Sequence, residues 1–154
     1  MKRFNLRVLF LLALVLFPLI SWAEDTVHTI PIGTWQGEWS NTGGYVYVAE
    51  MVLHGPRDGK IGKVEGYINW ILRKSPRAEE QSKIGSAGTE YVRGTYDPVN
   101  RLLSLDGYDK TDPNNILGLD KYRLVFAENG KVLGGITWNN GNWQGKIFLM
   151  RALK

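Results

Sequence analysis

The chain has 154 residues, 19 Lys and Arg against 15 Asp and Glu, and no cysteine. The missing cysteines exclude a disulfide framework and leave stability to a packed core. Lys2, Arg3 and Arg7 sit at the extreme start, so the remainder is nearly neutral and its charge gives no reason to expect a nucleic-acid partner.

Residues 1–23 read as a signal peptide. The charged start runs into residues 8–20, almost wholly apolar, and Ser21-Trp22-Ala23 puts small residues at the two positions a signal peptidase reads, so cleavage is expected after Ala23. The apolar run is shorter than the roughly 20 residues of a membrane helix, and Pro18 lies near its end. No stable membrane span is expected after cleavage, the location is periplasmic or secreted, and residues 24–154 make a single domain.

Past a polar lead-in, Gly33-Thr34-Trp35-Gln36-Gly37-Glu38-Trp39 alternates with period 2, Trp35, Gly37 and Trp39 on one face and Thr34, Gln36 and Glu38 on the other, as a half-buried strand does. Asn41-Thr42-Gly43-Gly44 is turn chemistry, and residues 45–53 are rich in β formers. Asp58-Gly59 marks a turn. Residues 63–72 alternate again, with Val64, Gly66, Ile68, Trp70 and Leu72 on one face.

Residues 73–88 break the pattern. They form a polar connection with room for one helical turn near Ser75-Pro76, and so long a link is a lid or a solvated surface excursion.

Further strands are predicted at 89–97, at 102–105 leading into Asp106-Gly107-Tyr108, at 121–127 and at 131–138. Asn140-Gly141 predicts a two-residue hairpin turn into a last strand at 142–151. Eight strands on short links predict an all-β, eight-stranded antiparallel up-and-down barrel, with a β-sandwich as the alternative. Trp143-Gln144-Gly145 echoes the first strand's Trp35-Gln36-Gly37, which suggests that the two ends of the sheet meet. Gly37, Gly66, Gly94, Gly107, Gly134, Gly135 and Gly145 fall inside predicted strands, where they read as bending points of a small barrel.

Trp and Tyr dominate the aromatic inventory, and both suit sites that are part buried and part wet. Trp39, Tyr47, Trp70, Tyr96 and Trp138 are the candidate ligand-binding residues, their strands converging on one interior; the competing reading is that they fill it. No catalytic residue is nominated: the histidines are His28 and His54, and no Gly-x-Ser-x-Gly occurs. Residues 106–115, with Asp120, gather oxygen groups of the kind calcium favours, but the spacing is not that of an EF-hand and Lys110 sits among them. They read as turn chemistry, and no metal or cofactor is nominated.

Gly33-Thr34-Trp35 at the start, with Arg151 ending the last strand, resembles the calycin group of small barrels: lipocalins, fatty-acid-binding proteins and avidins. The resemblance implies that Arg151 packs across Trp35 at one barrel end. Trp35, Trp143 and Arg151 are accordingly the expected closure residues. Tyr91-Val92-Arg93-Gly94-Thr95-Tyr96-Asp97 is similar to a middle strand of the avidins. The chain departs from lipocalins in lacking cysteine, and Gln36-Gly37-Glu38 does not reproduce the avidin residues around biotin, so biotin binding is not carried over.

The expected function is that of an exported barrel binding a small apolar or ring-shaped ligand without transforming it. The alternative is a periplasmic protein-interaction or inhibitor module with a filled core. An outer-membrane barrel would need an apolar outward face, whereas Lys63, Glu65, Arg93, Lys121 and Arg123 fall opposite the predicted core faces.

Overall fold

The structure is a computed structural model that describes residues 31–55 and 62–153. The expected signal peptide, His28 and the Asp58-Gly59 turn lie outside the described residues. Eight strands follow in chain order: β1 (Gly33–Ser40), β2 (Val46–His54), β3 (Lys63–Lys74), β4 (Ala87–Asp97), β5 (Leu102–Thr111), β6 (Lys121–Phe126), β7 (Val132–Trp138) and β8 (Gln144–Arg151). Each pairs antiparallel with its neighbours in sequence, and β1 pairs with β8 from Trp35↔Arg151 to Ser40↔Lys146. The sheet is therefore a closed up-and-down barrel, and the sandwich alternative falls because no edge is left open.

Alternation sets which face turns inward. In β2, Tyr47, Ala49, Met51 and Leu53 are buried; in β6, Tyr122, Leu124 and Phe126 are buried while Lys121, Arg123 and Val125 are exposed. A Cβ added to Gly37, Gly66, Gly94 or Gly135 would overlap a carbonyl oxygen of the adjoining strand, so glycine there permits the close backbone approach of a tightly coiled sheet.

The two ends differ. At the end where β1 begins and β8 finishes, the Arg151 guanidinium lies 4.3 Å over the Trp35 ring. Arg151 Nη1 donates to Ile32 O at 2.7 Å, its Nε to Gly130 O at 2.9 Å, and Trp35 Nε1 to Pro31 O at 3.0 Å. Phe126 packs edge-on against both Trp35 and Tyr96, at 5.7 and 6.1 Å between centroids. This end is plugged.

Three elements differ from the sequence reading. β5 continues past Tyr108 to Thr111, because its polar second half still pairs with β4 through Glu90↔Lys110 and Thr89↔Thr111 after β6 has parted from it at Asp106↔Lys121. A bulge falls there: Tyr91 faces Asp109 and Val92 faces Gly107, leaving Tyr108 as the extra residue. The final hairpin is a three-residue loop. Asn139 N donates to Trp143 O at 3.0 Å, and Asn142, at φ 62°, rather than Gly141, takes the left-handed position. Asn139 Oδ1 accepts from Gly141 N at 2.8 Å, an acceptor that holds the longer loop. The connection between β3 and β4 shortens to residues 75–86 and carries a 3-10 helix (Ala78–Lys83), about two turns starting just after the Ser75-Pro76 position where one was expected.

Candidate functional site

The end opposite Arg151 is hollow. A cavity of about 320 Å³ opens there, within the size range of small-molecule sites. Trp39 on β1 faces Tyr47 on β2, Trp70 on β3 sits one inward position away opposite Ala49, and the three form a continuous edge-to-face arc, Trp39 to Tyr47 at 5.6 Å and Tyr47 to Trp70 at 6.1 Å. Two of the polar tips are bonded to protein across the barrel: Trp39 Nε1 donates to Thr137 Oγ1 at 2.7 Å, and Tyr47 Oη to Ile116 O at 2.8 Å. Gly145 makes this possible for Trp39, since a Cβ at that position would overlap the indole. Tyr45 and Trp143 form a second aromatic pair in the wall, 4.6 Å between centroids.

The arc ends on a buried carboxyl group. Glu90, on β4, is 2% exposed. Its Oε2 accepts from Trp70 Nε1 at 3.4 Å and from the Tyr122 hydroxyl, and its Oε1 accepts from Asp120 N at 2.7 Å. Burial pushes its pKa up to about 7, against the opposing pull of the Tyr122, Asp120 amide and Trp70 donors. The same burial and the Glu90 charge hold the Tyr122 hydroxyl well above its usual value. Asp120, just ahead of β6, is raised too, by burial that outweighs the 2.9 Å bond from Asn139 Nδ2 to its Oδ1.

The β5 bulge makes room for Glu90. A Cβ on Gly107 would overlap Glu90 Oε1, and Gly107 N donates to Asp120 O at 2.7 Å, tying the bulge to the segment that carries the second carboxylate.

Two loops roof the mouth. Residues 112–120 are folded around Asp112, whose Oδ1 and Oδ2 accept from the amides of Ile116 and Leu117 at 2.9 and 2.8 Å while Lys110 Nζ pairs with it at 3.1 Å. The side chains of Ile116 and Leu117 pack inward against the core. Burial works against the Asp112 charge, but these donors outweigh it and its pKa is lowered. The oxygen-rich stretch read as turn chemistry is thus a self-capped loop. Among the described residues no group of three or more His, Cys, Asp or Glu is placed to hold a metal ion. From the other side, the 3-10 helix brings Glu80 and Lys83 to the cavity, and Lys83 Nζ reaches Asn115 O at 3.2 Å, joining the two loops.

Of the candidate residues from the sequence, Trp39, Tyr47 and Trp70 line the cavity together. Tyr96 is inside the barrel but belongs to the plug, edge-on to Phe126. Trp138 faces outward, because Leu133, Gly135 and Thr137 share the other parity of β7 and Thr137 is the buried one. Trp35 and Arg151 meet at the plugged end, whereas Trp143 stands at the cavity mouth, since β8 runs antiparallel to β1 and puts the echoed Trp-Gln-Gly at the opposite rim. Glu90 was missed, and Asp120, noted only among the oxygen groups read as turn chemistry, was not assigned to the interior. Each shares the parity of its strand's core residues, Glu90 with Val92 and Tyr96, Asp120 with Tyr122 and Leu124, and an acid on an inward parity was the available signal.

Compared with known proteins, the chain matches no family model and no curated sequence.

Proposed function

We propose that this protein is an exported small β-barrel that binds a small, ring-shaped, largely apolar ligand in its open end and does not transform it. One observation carries the reading: in a barrel otherwise filled by side chains, a cavity of about 320 Å³ remains at one end, walled by Trp39, Tyr47 and Trp70. Flat aromatic faces at fixed edge-to-face angles complement planar rings better than flexible chains. Export rests on the leader pattern of residues 1–23, and the Trp35–Arg151 stack supports the calycin resemblance.

Titration of intrinsic Trp fluorescence against ring compounds and acyl chains tests the ligand class. Saturable quenching by rings, lost in Trp70→Ala, is expected; saturation by acyl chains alone would refute it. Mass spectrometry of the protein from the extracytoplasmic fraction, expected to begin at Glu24, tests export.

A second reading, a protein-interaction module, is favoured by Val125, Ile136, Phe148 and Met150, each more than half exposed on the outer face of β6, β7 and β8. A stoichiometric partner lost on Phe148→Ser would support it. The charged outward residues Lys63, Arg93, Lys121 and Arg123 interrupt the continuous apolar outer band that an outer-membrane barrel needs.

A further inference from the structure

The cavity lining joins aromatic faces to three acids, which a site for hydrocarbon alone has no use for. Glu80, Glu90 and Asp120 line it, and Lys83 is the one cationic side chain among its described lining. Glu80 is answered locally by Ser75 Oγ at 2.6 Å and Arg77 at 3.5 Å, and Lys83 is turned to the Asn115 carbonyl. Glu90 and Asp120 are left without a cationic partner in their hydrogen bonding among the described residues.

Their acceptor capacity is also unspent. An ionised carboxylate offers about four acceptor sites; Glu90 uses three and Asp120 one, with no described donor on Asp120 Oδ2. Independently, the Tyr45 hydroxyl, on a residue 5% exposed that lines the same cavity, is buried with no hydrogen-bond partner among the described residues. Ser75 and Glu80 stand near enough to influence its titration, with Ser75 Oγ donating to Glu80 Oε2 at 2.6 Å. A buried polar group without a partner is costly and marks a place where something polar is missing.

Resting on the binding reading above, we infer that the ligand carries a protonated amine on its ring: the ring lies among Trp39, Tyr47 and Trp70, and the ammonium reaches Asp120 and Glu90. The arc supplies the negative faces of aromatic rings to the cation, the carboxylates supply charge-assisted acceptors, and the fold keeps the acids there through Gly107 and the bulge rather than through a compensating base. Glu90, titrating near 7 without ligand, is driven to its ionised form when an ammonium arrives beside it, so binding at neutral pH releases a proton. The groups that set that titration are Trp70 on β3, Tyr122 on β6 and the amide and carboxylate of Asp120, with Glu80 and Lys83 lining the same cavity.

The test uses matched probes on the purified protein: one-, two- and three-ring primary amines, each with its alcohol and its carboxylate of equal length. Binding is followed by the indole N–H resonances of Trp39 and Trp70 and by calorimetry in buffers of different ionisation enthalpy. An amine is expected to bind at least about tenfold tighter than its alcohol and its carboxylate, the scale of one hydrogen bond to a charged group, with proton release at pH 7. Asp120→Asn removes one of the two carboxylates and is expected to narrow the gap between amine and alcohol affinities; an undiminished gap would overturn the placement of the ammonium at Asp120.

If alcohols or carboxylates bind as tightly as the amines, the charge inference is overturned and the pocket reading stands. If no probe of any charge shifts either indole, both are overturned. The wild-type comparison needs no variant, so it separates these outcomes even if Asp120→Asn fails to fold.

Discussion

Glu90 sits 2% exposed among Trp70, Tyr122 and the Asp120 amide, and that position fixes the sign of a pH effect. Its pKa rises from 4.5 to about 7 in the folded chain, so between those values the folded state holds a proton that the unfolded state has released, and stability falls as pH climbs through the window. A shift of that size corresponds to roughly 3 kcal/mol by neutral pH. Asp120, also raised, acts in the same direction. Asp112 and Glu80 are held low and act oppositely: the stability they contribute is present above the ordinary carboxylate range and is lost as pH falls below it. Stability should therefore peak close to that range and decline toward pH 8, and Glu90→Gln should flatten the decline. Urea midpoints at pH 5 and 8 check it, and a wild type as stable at 8 as at 5 would contradict the assignment. Tyr122→Phe removes a donor that favours the charged form, and carboxyl-carbon NMR should then show Glu90 titrating above about 7.

At the scale of elements, the site depends on two local devices that polar composition disguises. The first is the β5 bulge. Gly107→Ala would press a methyl group into the Glu90 carboxyl, which three bonds hold in place, and should cost about 1–3 kcal/mol as an overpacked core does. A Glu90 titration shifted from that of the parent protein would show that the carboxyl had moved. The second device is the Asp112 loop. Asp112→Ala strips two part-buried amides of their acceptor, and amide exchange at Ile116 and Leu117 should accelerate selectively while the strand amides hold.

These elements also mark where sequence reading stops. Period-2 alternation, β-former content and turn residues together located all eight strands, because burial on one side writes itself into residue type. Alternation lost the second half of β5, whose residues pair with β4 alone and carry no core face after Leu105. It turned Trp138 inward because β7 has apolar or glycine residues on both parities, so only pairing with β6 and β8 decides between them. The three-residue hairpin was hidden for a related reason, since Asn140-Gly141 fits a two-residue turn and the Asn139 side chain that selects the longer loop acts from outside that pair.

Across the whole molecule, stability and the cavity are assigned to opposite ends of one barrel. The plugged end concentrates fully buried side chains, with Trp35 at 0% exposure against Phe126 and under Arg151, whereas Trp143 at the mouth is only partly buried and touches the core from outside. Trp35→Ala removes a large, fully buried side chain from the plugged end and should cost about 3–5 kcal/mol, a fall in melting temperature on the order of 10 °C or more. Trp143→Ala deletes the same side chain from a rim that already meets solvent, so the gap fills with water and the loss should stay near about 1 kcal/mol. Thermal melts of the two variants compare like with like, since the deleted atoms are identical and only the end of the barrel differs. Equal losses would mean that the mouth is packed as tightly as the plug, leaving no room for a ligand among Trp39, Tyr47 and Trp70.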